Sequence, residues 1–512
     1  MSASTQARFG RALFGRAMAL GVILSAGLLA ACVVGPNYHR PAVQAPPAWK
    51  EAPPPGWKNA TPREEISKGN WWSVFGDSQL DQLEAESTAA NPSLQAAVAR
   101  LEQARAAARV TRANLRPAVE LNPSVVTSRQ SGNRPVPPPV RANPFTSTTF
   151  TLPFDAGYEA DVWGSVRRSL ESAQAGAQAS AADYENLLLT LRSEVAQDYF
   201  YIRYLDDDRA ILRDNIELLK RAVRLTEVRH AGGVASGLDV SEARTLLAST
   251  EAQYAGTARD RAQFEHALAV LVGKSPAEFS LAEAPPAKGA VPPVVPAGLP
   301  SDLLERRPDI ARAERLMASA NAGIGVARAA FFPAVGLTAG AGYASTDLIK
   351  LFNLPSAMWS LGASAAAPLY EGGRLKAGLE QAQAAYTESV ANYRQQILTA
   401  FQEVEDGLSG LRVLEEQQDA QNKAVDSSLE TANISTARYK EGLANYLEVI
   451  VAQRAVLDNQ RLDAQIRELR FATTVQLIKA LGGGWSESHP AIYSSGAQPA
   501  GAQPSPARTA SP

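Results

Sequence analysis

Apolar residues return every three or four positions through two long stretches of the chain. From about Val166 to Arg229 there is no proline, and Leu188, Leu191, Val195, Tyr199, Ile202 and Leu205, then Leu212, Ile216, Leu219 and Val223, keep helical spacing. A matching seam runs through Tyr386, Val390, Tyr393, Ile397, Ala400, Val404, Leu408 and Leu411. Such heptad-like seams predict helices that bury one stripe against neighbouring helices. An unbroken helix of about 60 residues would be roughly 90 Å long, beyond any ordinary globular core.

Elsewhere the period falls to two. Phe150, Leu152, Phe154, Ala156, Tyr158, Ala160 and Val162 alternate with mostly polar residues, as do Val335, Leu337, Ala339, Ala341 and Tyr343 with Gly and Thr. Trp359, Leu361, Ala363, Ala365, Ala367 and Leu369 alternate with Ser, Gly and Pro. This is the dyad pattern of a transmembrane β-strand. Rising and descending strands would gather Phe331, Phe332, Trp163 and Tyr370 at one interface and Tyr343, Trp359 and Phe145 at the other, forming two aromatic girdles. Short alternating runs also suit a soluble sandwich with one solvated face; the export signal and the girdles favour the membrane. Four strands cannot close a barrel, and an open edge is not tolerated in lipid. Transmembrane strands therefore require oligomerisation, and a minimum of about eight strands leaves two, three or four chains open.

The two patterns belong to a duplicated unit of helix, strand, loop, strand, very long helix, tight turn and helix. Pro92 and Pro117 have counterparts in Pro308 and Pro333, 216 residues on, and Leu94, Ala104 and Arg112 match Ile310, Ala320 and Arg328. Leu170 through Gly273 then matches Leu379 through Gly482 without a gap at an offset of 209. Seven residues were lost between the registers, in the loop of copy one that carries Gly132, Pro135, Pro137, Pro138 and Pro139.

Length alone, 512 residues, suggests about three or four domains of roughly 150 residues, which the duplication revises. The layout is a signal peptide over 1–31, a lipidated extended segment over 32–79 and a first repeat over 80–276. A proline-rich connector over 277–300, a second repeat over 301–485 and a disordered tail over 486–512 follow. Strands are predicted at about 118–128, 145–163, 334–344 and 357–370, and tip turns at 229–239 and 438–448. Arg8, Arg11 and Arg16 precede an apolar run from Ala17 to Ala31, too short for a retained span. It ends Leu29, Ala30, Ala31, Cys32, a lipobox around the only cysteine of the chain. Lipid on Cys32 and on the new N-terminus would give the two acyl signals that stable anchoring needs. Val33 in place of the Asp that retains lipoproteins at the inner membrane favours the outer membrane.

A formal charge of −2 and a pI near 6.2 lack the basic excess that nucleic acid selects. Catalysis has little support: His39, His230, His266 and His489 are scattered, and no metal-ligand spacing occurs. Gly482, Gly483 and Gly484 lack the Lys and Ser or Thr of a phosphate loop and read as a helix stop. No cofactor is expected beyond the covalent lipid on Cys32.

Directly after Cys32 stands Val33, Val34, Gly35, Pro36, Asn37, Tyr38, His39, Arg40, Pro41, which resembles the opening of TolC-like outer-membrane efflux lipoproteins of the NodT and OprM type. Trp71, Trp72, Phe75, Asp77 and Leu80 resemble the family's next element, and Arg307, Pro308, Asp309, Ile310 its second-copy motif. The resemblance runs from Cys32 to about Trp485. It implies a mainly α protein with a transmembrane β-barrel, namely a homotrimer forming a twelve-stranded barrel in the outer membrane joined to a long periplasmic α-helical barrel. It also implies docking to a periplasmic membrane-fusion adaptor and an RND-type inner-membrane pump, with drugs or other small toxic compounds conducted unchanged. An exit duct for type I polypeptide secretion is the rival within the fold. A lipid-tethered periplasmic coiled-coil scaffold is the rival outside it, although adaptors of that kind show one hairpin rather than a duplicated unit.

Ser236 with Asp239, and Asn445 with Glu448, read as capping boxes at the tip turns, with Gly233 and Gly442 suiting the left-handed position. By resemblance these turns are also the periplasmic entrance. That places Asp239, Tyr439, Gly442, Tyr446, Leu447, Glu448 and Val451 at the gate and tip, and Gly233, Val234, Ser236, Leu443 and Asn445 at adaptor docking. Tyr439 matches a latching tyrosine of relatives and Leu447 a constricting leucine, while three chains would make Glu448 a ring of carboxylates. Val451 stands where relatives often carry an Asp, so a second acidic ring is not expected. The gate should rely on Leu447 and Tyr439 more than on charge. His230 and Gly237 of copy one correspond to Tyr439 and Tyr446, so the second copy is expected to do most of the gating.

Overall fold

A computed structural model of the chain describes residues 33–42, 45–51, 70–133, 144–286, 290–295, 300 and 306–483. The signal peptide, Cys32, the tail and parts of the proline-rich segments lie outside the described residues. The described chain divides into two compact units, each drawing on both halves of the sequence.

The two copies form corresponding elements, except that among the described residues copy one has an additional helix at its start and divides its first strand in two. Copy one comprises α1 (Ser78–Ala90), α2 (Pro92–Ala113), β1 (Ala118–Leu121), β2 (Ser124–Gln130), β3 (Phe145–Ala160), α3 (Ser165–Ala231) and α4 (Gly237–Leu271). Copy two comprises α5 (Pro308–Ala329), β4 (Ala334–Ser345), β5 (Ala357–Ala366), α6 (Arg374–Lys440) and α7 (Tyr446–Ala480). Helices α2 and α5 have 22 residues each, α3 and α6 have 67, and α4 and α7 have 35. The two longest are therefore each about 100 Å long. Their periodic seams are the buried faces: Val195, Ile202 and Leu212 on α3, and Tyr393, Ala400, Val404 and Leu408 on α6, are wholly enclosed, although Tyr386 and Val390 at the start of α6's seam are only half-buried.

In the unit built from residues 42–100, 180–312 and 394–512, the copies also share a joint. Just ahead of α2, Asn91 Nδ2 donates to the carbonyl of Leu271 at the end of α4, at 2.9 Å. Its counterpart Arg307, just ahead of α5, donates from Nη1 to the carbonyl of Ala480 at the end of α7, at 3.0 Å. A helix C-terminus leaves carbonyls without intrahelical partners, and each copy answers one of them with the residue before its next helix. Arg307 is also forked onto Asp309 and reaches Glu403 at 2.5 Å, so its buried charge is matched.

The unit built from residues 1–41, 101–179 and 313–393 holds the sheet. Strands β3, β4 and β5 pair antiparallel in sequence, and β1 and β2 lie end to end along the other side of β3. The strand expected at about 118–128 is thus two, because Pro123 has no N–H to donate to the ladder and Asn122 bonds to the carbonyl of Pro153 instead. The strands expected to reach 163 and 370 end at Ala160 and Ala366. Among the described residues the sheet has four passes and two unpaired edges, β1/β2 and β5, whose residues are all exposed.

The segment after position 32 is laced to one end of this sheet. Val34 N–H donates to the carbonyl of Trp163 at 3.0 Å, Arg168 reaches Asn37 Oδ1 at 2.8 Å, and the Tyr38 hydroxyl donates to Glu314 at 2.8 Å. Gly35 takes φ 105°, and a Cβ there would lie 2.5 Å from the Cα of Gly325 on α5. Only glycine allows that approach. Trp163 in turn stacks on Phe332 with ring centroids 4.7 Å apart.

Candidate functional site

Each long helix ends in the same turn. Gly233 and Gly442 adopt φ 76° and 77°, the left-handed region in which an L side chain is strained. Val234 N–H then reaches back to the Arg229 carbonyl at 2.9 Å and Leu443 N–H to that of Arg438 at 2.8 Å, closing the last turn of α3 and of α6. The following helices start differently. Ser236 and Asp239 exchange bonds reciprocally, the Asp239 N–H donating to Ser236 Oγ at 3.2 Å and the Ser236 hydroxyl to the Asp239 carboxylate at 2.9 Å. Asn445 accepts from the Glu448 N–H at 3.1 Å, but the Glu448 carboxylate is 3.8 Å from the Arg438 guanidinium. Only copy one spends its acid on the cap.

The aromatic residues of copy two lie inside the tip. Tyr439 and Tyr446 are 4% and 2% exposed, with ring centroids 5.2 Å apart, and pack with Leu219, Ala243, Leu246, Val449 and Ile450. Burial raises both phenols, Tyr446 to about 12, so both are neutral at physiological pH. Arg229 of copy one sits 4.7 Å from the Tyr439 ring centre and donates to the Lys440 carbonyl at 3.2 Å. A cation over an aromatic face is attracted by the ring quadrupole, so this arginine ties the turn of one copy to that of the other.

The surface of the tips carries exposed apolar side chains among its polar ones. Leu447 is 54% and Val451 61% exposed, and Val234, Leu238 and Leu443 are exposed as well. The residues grouped from sequence as a gate therefore fall into two layers. Tyr439 and Tyr446 hold the tip together from within, while Leu447, Glu448 and Val451 face outward. Arg229 was missed. It aligns with Arg438 in the other copy, so the repeat marks the position, but only the fold reveals the ring beneath it.

Such a surface, with exposed leucines and valines and a carboxylate facing an exposed arginine, offers contacts to another protein surface. Among the described residues no cluster of His, Cys, Asp and Glu has the arrangement to hold a metal.

The chain is similar to known proteins along nearly its whole described length. Residues 84–274 and 299–483 match the model of a family described as outer membrane efflux protein. The pyoverdine export outer membrane protein OpmQ of Pseudomonas aeruginosa is 33% identical over 476 residues, covering 91% of this chain and 97% of that protein. The cation efflux system protein CusC of Escherichia coli is 30% identical over 459 residues, covering 90% and 97%. Among solved structures, the outer-membrane channel OprN superposes with a TM-score of 0.82 at 30% identity over 89% of this chain and all of that one. The CmeC outer membrane channel of Campylobacter jejuni gives 0.83 at 25% identity, over 90% and 96%.

Proposed function

The chain belongs to the outer membrane efflux protein family and serves as the outer-membrane channel of a tripartite efflux system; on that premise we propose that it works as a lipid-anchored homotrimer. The observation that carries the proposal is the open sheet. Four passes with two bare edges, β1/β2 and β5, are untenable in hydrocarbon, where every backbone N–H and C=O needs a partner. Pairing β5 of one chain with β1/β2 of the next removes the edges, and three chains give a twelve-stranded barrel. The solved structures to which this chain is similar are described as outer-membrane channels, which fits a closed barrel.

Acylation of Cys32 is the second part of the reading. Its support is the lacing of Val33 through Tyr38 beside Trp163 and Phe332, because an acyl chain attached one residue earlier would enter lipid at the level of an aromatic girdle. The third part concerns the tips. The exposed turn residues Gly233, Val234, Ser236, Leu443 and Asn445 form the docking surface for a periplasmic adaptor, which brings an RND-type inner-membrane pump. Leu447 and Glu448 form the constriction that docking opens. Cargo passes chemically unchanged, and small compounds are favoured, since the relatives are named for pyoverdine export, toluene efflux and cation efflux.

Purification from outer membranes tests the assembly. A native mass of three chains carrying acyl groups and a discrete conductance in planar bilayers is the expected result, and a non-conducting monomer or dimer would overturn it. In Cys32→Ser the acyl mass should vanish while trimer and conductance remain, because the barrel holds the membrane without the anchor.

A further inference from the structure

Remote from the tips, a cavity of 610 Å³ opens within the unit that contains them. Four stretches far apart in sequence wall it: the turn before α1, the middle of α3, the connector residues 282–286 and 290–293, and α7. One side is aromatic. The Phe200 ring centroid lies 4.8 Å from those of both Phe75 and Phe471, which are 6.1 Å from each other.

The charged groups around the cavity are nearly all matched. Asp77 accepts from the Tyr199 hydroxyl at 2.5 Å and caps α1. Arg203 donates to Asp206 and to the Ala282 carbonyl, and Arg467 is paired with Asp207 at 3.1 Å and with Asp463. Glu468 is the exception. It shares a face of α7 with Ala464 and Phe471 and lines the cavity, yet it has no hydrogen-bond or ion-pair partner among the described residues. Burial alone pushes its carboxyl up to about 7. A desolvated carboxylate without a counter-charge is costly, and a cation placed against it recovers that cost.

We propose that this cavity binds hydrophobic amines, the protonated nitrogen pairing with Glu468 and the apolar body packing on Phe75, Phe200 and Phe471. The volume lies within the range of roughly 300–1,000 Å³ typical of small-molecule sites. The aromatic faces add to the preference for a cation, because their quadrupoles present negative charge to the ligand. A neutral compound of the same shape gains only the burial, and an organic anion meets Glu468 directly. Every residue that lines the cavity belongs to one chain.

The test uses three probes with one ring system and different charge: 1-naphthylmethylamine, 1-naphthylmethanol and 1-naphthoate. Each is titrated calorimetrically into the full-length detergent-solubilised protein. Saturable binding is expected, with the amine about tenfold or more tighter than the alcohol and the anion weakest. Glu468→Gln should bring the amine down to the affinity of the alcohol and leave the alcohol unchanged. Phe200→Ala should weaken both, and Phe471→Leu, a milder trim, should weaken both to a smaller extent if Phe200→Ala does not fold. Equal binding of amine and alcohol, an amine preference that survives Glu468→Gln, or uptake that never saturates would each overturn the proposal.

Discussion

Glu84 on α1 is fully buried, and neither carboxylate oxygen has a hydrogen-bond partner among the described residues. Burial raises its pKa well above the ordinary 4.5, opposed only in part by the charge of Arg192. The folded chain therefore holds this proton more tightly than the unfolded one. Its contribution to stability is complete below the unfolded value and is lost as pH rises through the folded value. Glu84→Gln keeps the shape without the proton. It should melt a few degrees above the parent at about pH 8 and close to it at about pH 4, and a difference that does not change with pH would refute the assignment. Tyr446 makes the complementary case. Its hydroxyl is buried without a hydrogen bond, so Tyr446→Phe should leave stability nearly unchanged, whereas Tyr446→Ala should lose about 3–5 kcal/mol in denaturant titrations.

At the scale of elements, the tip turns separate cohesion from gating. If the outward layer forms the constriction, Leu447→Ala should raise single-channel open probability more than Glu448→Ala does, since the Glu448 carboxylate already faces Arg438 in the same turn. The reverse order would put charge ahead of sterics. The helices carrying these turns were legible in the sequence because each local cue agrees: no proline, a continuous apolar stripe and a glycine at the stop. The rest escaped for physical reasons. Alternation gives the period of a strand but not the break at Pro123 between β1 and β2, which follows from one missing donor. That Tyr439 and Tyr446 point inward cannot be read from a turn, because both faces of a hairpin accept tyrosine until the neighbouring hairpin is placed. The aromatic cavity around Glu468 draws on four distant segments, none of which carries a local signature.

For the molecule as a whole, the duplication is one of dimensions as much as of sequence. Helices of 67 and 35 residues recur in both copies, and Arg229 bonds to the turn that ends the opposite long helix. Seven residues added to α3 alone, with seven added to α4 to return the chain, would carry one tip about 10 Å past the other and break that bond. The same insertion made in both copies would keep the tips level. The single-copy variant should therefore assemble but leak or fail in drug-export assays, and the matched variant should recover. A channel built in this way can change its reach only in paired steps. Its length is in effect a quantised trait, inherited by two halves at once, and an adaptor able to follow it must change by the same increment.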